Sequence, residues 1–90
     1  MAHTSTIQLL SRYRDAAERT GDPDPTVAEA GAHEAHELYK QLRDSAEGRV
    51  GISALMLDPH PQVRRWAATH ALSWKRDMAR AILAELKQSS

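Results

Sequence analysis

The chain has no cysteine. That excludes a disulfide framework, a Cys-ligated zinc site and a thiolate nucleophile. Phenylalanine is also absent, so the aromatic content rests on two tryptophans and two tyrosines. Net charge is lacking too: 12 Lys and Arg offset 12 Asp and Glu, without the high pI that marks bulk nucleic-acid binding. No apolar run approaches the roughly 20 residues needed to span a bilayer. The opening Met1-Ala2-His3-Thr4-Ser5-Thr6 has no basic stretch followed by an apolar one, so no signal peptide is expected and a cytoplasmic location follows by default. Sustained alternation and hairpin dipeptides between β-branched runs are missing, which argues against strands.

What is present is helical periodicity over 90 residues that are 41% hydrophobic and 27% charged, read as one domain spanning 1–90. A chain this short buries only about 60–65% of its unfolded surface, so the core must be compact. A first helix is expected over Thr6 to Arg19, opened by the capping-box pair Ser5 and Gln8. Leu9, Leu10, Tyr13, Ala16, Ala17 and Thr20 form its stripe, and Arg14–Glu18 and Asp15–Arg19 are spaced to pair. Gly21-Asp22-Pro23-Asp24-Pro25 turns the chain.

A second helix is expected over Val27 to Ala46, capped by Thr26 and Glu29. Gly31 and Ala35 would let it approach the first closely, as an antiparallel hairpin. Gly48 and Gly51 are read as bracketing the start of a short third helix, Val50 to Leu57. Asp58-Pro59-His60-Pro61 breaks it, and Pro61 opens a fourth helix to Leu72. Ser73 is read as the cap of a fifth, to Lys87, with Met78, Ile82 and Leu86 inward. Ser89 and Ser90 form a frayed tail. The expected fold is all-α with about five helices, two hairpins plus one.

Ile52-Ser53-Ala54-Leu55-Met56-Leu57-Asp58-Pro59-His60-Pro61-Gln62-Val63-Arg64-Arg65-Trp66-Ala67-Ala68-Thr69-His70-Ala71-Leu72 resembles a HEAT repeat. The likeness lies in a short helix ending in leucines, the Asp58-Pro59 turn, and Val63-Arg64, Ala67-Ala68 and Ala71-Leu72 after it. Arg64 is placed to reach back toward Asp58 or helix-terminal carbonyls. Over about residues 5–87 the chain resembles a bacterial family of small HEAT-like domains of unknown function. The resemblance implies a HEAT-like second half and, by analogy, a binding role. Only one repeat unit is recognisable, whereas solenoids stack three or more, so either the first hairpin or another chain caps it.

Several residue patterns invite chemistry. His33-Glu34-Ala35-His36-Glu37 has histidines three apart, not the four of the metalloprotease helix. His33, His36, Glu29 and Glu37 share an outward face that offers at most an open, partial metal shell, and a solvated face is the preferred reading. His70 lies on the apolar side of the fourth helix, where a half-buried histidine bonded to a backbone carbonyl is expected; a catalytic base or pH switch would need a partner acid. No Ser-His-acid triad spacing and no phosphate-cradling glycine loop occur. Hence no catalytic residue, cofactor or metal is expected.

Arg64, Arg65, Lys75, Arg76 and Arg80 form the densest basic cluster, interleaved with Trp66 and Trp74. Arg64, Arg65, Trp66, Trp74, Arg76 and Arg80 are therefore the candidate partner-binding residues. Trp66 reads first as a core anchor and otherwise as a hot spot. Residues 1–45 carry five bases and eight acids, and residues 46–90 seven and four, a split that can orient an encounter. The function expected is a non-enzymatic protein-interaction module with a protein partner, self-association included and no membrane. At this size an immunity-type protein that occludes a toxin is one form of it. The alternative is a nucleic-acid binder using Arg64 to Arg80.

Overall fold

The computed structural model describes residues 5–89. The start read above as lacking a leader, Met1 to Thr4, and the last tail residue, Ser90, lie outside the described residues. Among those described, the chain is all-α, with five helices: α1 (Thr6–Arg19), α2 (Pro25–Leu42), α3 (Ala46–Leu55), α4 (Pro61–Ala71) and α5 (Arg76–Ser89).

α1 begins where its local chemistry says it should. Ser5 Oγ accepts from the Gln8 amide at 3.1 Å, and Gln8 Oε1 accepts from the Ser5 amide at 3.1 Å, so two otherwise unpaired donors satisfy each other. α2 starts two residues earlier than expected. The Asp24 carboxylate accepts from the Thr26 amide at 2.9 Å, and Pro25 occupies the first turn, where no amide donor is needed. The Thr26–Glu29 box does not form, because Asp24 already serves that end.

The second hairpin corrects the boundaries further. α2 stops at Leu42, and Ser45 caps α3 by accepting from the Gly48 amide at 3.0 Å. Gly48 and Gly51 therefore lie inside α3 rather than on either side of its start. A Cβ on Gly48 would sit 1.9 Å from the Leu42 carbonyl oxygen, and one on Gly51 would sit 2.2 Å from Leu10 Cδ1. These glycines serve close approach, not helix termination. α3 ends at Leu55, which leaves Leu57 68% exposed in the turn. Ser73 does not cap α5; three more residues of turn follow Ala71, and the Lys75 carbonyl accepts the Ala79 amide at 2.9 Å.

α1 and α2 form the expected hairpin, and α1 also packs against α3 and α4. A Cβ on Gly31 would lie 2.7 Å from the Ala16 carbonyl oxygen, so small size at that position sets how closely the two helices approach. α5 packs on α4. The buried core draws on all five helices, from Tyr13 and Ala16 through Ala35, Leu38, Leu42, Ile52 and Met56 to Ala67, Ala68, Ala71 and Ala79. Overall extents are 46 × 32 × 19 Å. The short dimension matches two helix layers spaced about 8–10 Å apart. No helix among the described residues is long and apolar enough to cross a membrane.

Candidate partner-binding face

Between α2 and α4 the connection is made largely by rings. His70 on α4 is 8% exposed, and its Nδ1 lies 2.7 Å from the Tyr13 hydroxyl on α1. Burial first, and the neighbouring Tyr39 second, push the Tyr13 hydroxyl far above the usual phenol range. Burial, with a smaller contribution from His36, pushes His70 down to about 4. Tyr13 thus stays a phenol and His70 a neutral imidazole, and the hydrogen bond between the hydroxyl and Nδ1 joins two uncharged groups. The partner of His70 is a tyrosine hydroxyl, not the expected backbone carbonyl. Tyr13 on α1, fully buried against α4, brings its hydroxyl to the ring. Its hydrogen bond with His70 ties α1 to α4.

Tyr39 lies flat on His70, with ring centroids 4.0 Å apart and planes within 4°. Trp66 meets His70 edge-on at 5.5 Å, and His36 lies 5.8 Å from both His70 and Tyr39. Trp74 continues the row, its ring 6.3 Å from Tyr39. The Arg43 guanidinium stands 5.2 Å over Tyr39, within cation–π range. Tyr39, Trp66 and Trp74 are half-buried and His36 is exposed, so the row is packed on one side and open on the other. His36 thus has an aromatic neighbourhood that the outward-face reading did not foresee.

Of the expected binding residues, Trp66 and Trp74 are brought together, through His70 and Tyr39. Trp66 is half-buried rather than a fully enclosed core anchor. Trp74 is fixed by its Nε1–H, which donates to Ser53 Oγ at 2.9 Å. Arg65 is exposed on α4, and Arg76 and Arg80 lie one turn apart, exposed, on α5. Arg64 leaves the cluster: its Nη1 donates to the Asp58 and Pro59 carbonyls at 2.8 and 2.9 Å. It reaches the carbonyls because the Asp58 carboxylate is already held by Arg14, through Nε–Oδ1 at 2.8 Å and Nη2–Oδ2 at 3.0 Å. Asp58 Oδ2 also accepts from the His60 amide at 2.9 Å. Burial alone would raise the Asp58 carboxyl, but the hydrogen bonds from Arg14 and the His60 amide, with the nearby charges, pull it below the usual carboxylate range.

Tyr39 and Arg43 were not singled out in the sequence. Their spacing with His36 is a usable signal: 36, 39 and 43 fall on one helical face, as do Trp66 and His70 on α4. Arg14 pairs with Glu18 as expected, at 2.8 Å. Arg19 does not pair with Asp15; it pairs with Glu34 across the α1–α2 seam. Glu37 pairs with Lys40 at 2.9 Å, which holds its carboxyl below the usual range.

Two concavities stand out among the described residues. The larger, about 570 Å³, is lined mainly by charged and polar residues, among them Asp15, Glu18, Arg19, Asp22, His60 and Gln62. The smaller, about 340 Å³, is mostly apolar and contains Trp74. Among the described residues no group of three or more His, Asp or Glu is placed to hold a metal ion. Comparison with protein-family models, curated proteins and solved structures found no match.

Proposed function

We propose that this chain is a protein-interaction module that uses the open edge of the ring row between α2 and α4. The observation that carries the reading is the row itself: Trp66, Tyr39 and Trp74, each half-buried, joined through the buried His70, with Arg43 over Tyr39. Tryptophan, tyrosine and arginine are the side chains most enriched at interface hot spots. A row already locked by Tyr13 and Ser53 loses little freedom when a partner covers it. The HEAT-like resemblance points the same way, since such units act through their helical faces. An immunity-type inhibitor of the bacterial cytoplasm is one form the role takes.

The test is affinity capture with the full chain, identification of the retained protein, and titration of that purified protein against wild type and Arg43→Glu. Binding that weakens at least tenfold in Arg43→Glu supports the reading. Failure to retain any partner, together with a purely monomeric sedimentation profile, overturns it.

A second reading, nucleic-acid contact, is favoured by the exposure of Arg65, Lys75, Arg76 and Arg80 alongside the two tryptophans. It requires binding that weakens by orders of magnitude between about 50 and 200 mM salt. Arg64, committed to carbonyls, contributes nothing to it.

A further inference from the structure

We infer that the groove between α3 and the α4–α5 turn docks an acidic peptide segment through one aliphatic anchor residue. The inference rests on the ring row being a binding face and deepens it by naming the partner's chemistry. The groove holds about 340 Å³ and is lined by Ala46, Arg49, Val50, Ser53, Trp74 and Lys75. Its surface is mostly apolar. Val50 stands 69% exposed on α3, an aliphatic side chain with little cover from its own chain.

The floor is pre-formed. The Trp74 indole N–H donates to Ser53 Oγ at 2.9 Å, and Ser53 Oγ–H donates to the Arg49 carbonyl at 2.8 Å. The ring is therefore held in place before anything binds, and an apolar side chain enters a rigid slot at low ordering cost.

Charge decides what flanks that side chain. Arg49 on α3 and Lys75 on the α4–α5 turn line the groove, and no acid does. Among the described residues neither is paired with a carboxylate. The hydrogen bond from Arg49 Nη1 goes to the Arg43 carbonyl at 2.6 Å, a neutral acceptor that leaves the guanidinium charge uncompensated. Two uncompensated cations beside an apolar slot fit an aliphatic residue between carboxylates. A basic segment is repelled, and a wholly apolar one leaves both charges unanswered.

The experiment uses ¹⁵N-labelled full-length protein and three probes: a capped hexapeptide with one central leucine among aspartates and glutamates, its lysine counterpart, and a short oligodeoxythymidylate. The acidic peptide is expected to shift the Trp74 indole N–H and the amides of Val50, Ser53 and Lys75 at millimolar concentration or below, and the lysine peptide is not. Lys75→Glu is expected to weaken the acidic peptide about tenfold, and Val50→Asp to remove binding. Both positions are exposed, and a thermal melt of each variant verifies the fold. No shift at the groove with millimolar acidic peptide, equal binding of the lysine peptide, or preference for the oligonucleotide overturns the inference. If the groove fails while Trp66→Ala still abolishes capture of a partner, only the groove is lost. If the groove binds while Trp66→Ala leaves capture intact, the ring row is lost instead.

Discussion

Tyr13 and His70 show what a single hydrogen bond does inside a small helical core. Tyr13→Phe leaves His70 Nδ1 buried without its hydrogen-bond partner and is expected to cost about 1–3 kcal/mol. Replacing both residues with phenylalanine removes both polar groups and should cost less than the sum of the two single changes. The same pair sets an acid sensitivity. Folded His70 protonates near 4, against 6.5 for an ordinary imidazole. Between those values the unfolded chain binds the proton and the folded chain does not. Stability from this source is intact above pH 6.5 and falls as pH drops toward 4, by about 3 kcal/mol in total. Urea unfolding at a series of pH values measures it. The double phenylalanine protein should lose that slope, and an unchanged slope would contradict the assignment. Asp58 works at lower pH: its carboxyl is held down by Arg14 and the His60 amide, so its contribution is present above the usual carboxylate range and is lost as acid protonates it. Asp58→Ala should cost about 1–3 kcal/mol by urea unfolding, since it releases Arg14 and uncaps the α3–α4 turn.

At the scale of elements, the glycines of α3 decide the packing, and they separate what local chemistry shows from what it hides. Alanine normally favours a helix over glycine by about 1 kcal/mol. At Gly48 the new Cβ would meet the Leu42 carbonyl at 1.9 Å, and backbone cannot yield cheaply. Gly48→Ala should therefore destabilise by about 1–3 kcal/mol. At Gly51 the obstacle is the Leu10 side chain, which can rotate, so Gly51→Ala should stay within about 1 kcal/mol of wild type. Thermal melts of the two proteins compare them directly; equal losses would contradict the distinction. The start of α1 was legible because Ser5 and Gln8 lie three residues apart and act on each other. The turn at Pro61 was legible because proline fits the first turn of a helix, where no amide donor is needed. The end of α2 was not, since the apolar stripe continues through Ala46 while Ser45 starts a new helix. Gly48 and Gly51 read locally as breakers, and their purpose appears only when α2 and α1 are set beside them. The proposed binding face divides the same way. Trp66 and Trp74 stand out by residue type. Tyr39 and Arg43 are ordinary helical residues until α4 brings His70 beneath the Tyr39 ring.

For the whole molecule, the ring row joins the first hairpin to the second and leaves one edge uncovered. Residues 1–45 carry an excess of acids and residues 46–90 an excess of bases, an asymmetry that would steer the proposed acidic partner toward the second half. Association with such a partner should slow as ionic strength rises, while the dissociation rate changes little. The direct measurement is of stability and partner binding on one protein, Trp66→Ala. Trp66 is half-buried, so truncation should cost about 1–3 kcal/mol, less than the 3–5 of a fully enclosed tryptophan. The folded variant should bind its captured partner at least thirtyfold more weakly, about 2 kcal/mol. A variant that folds and binds as tightly as wild type would contradict the assignment of this edge as the binding face.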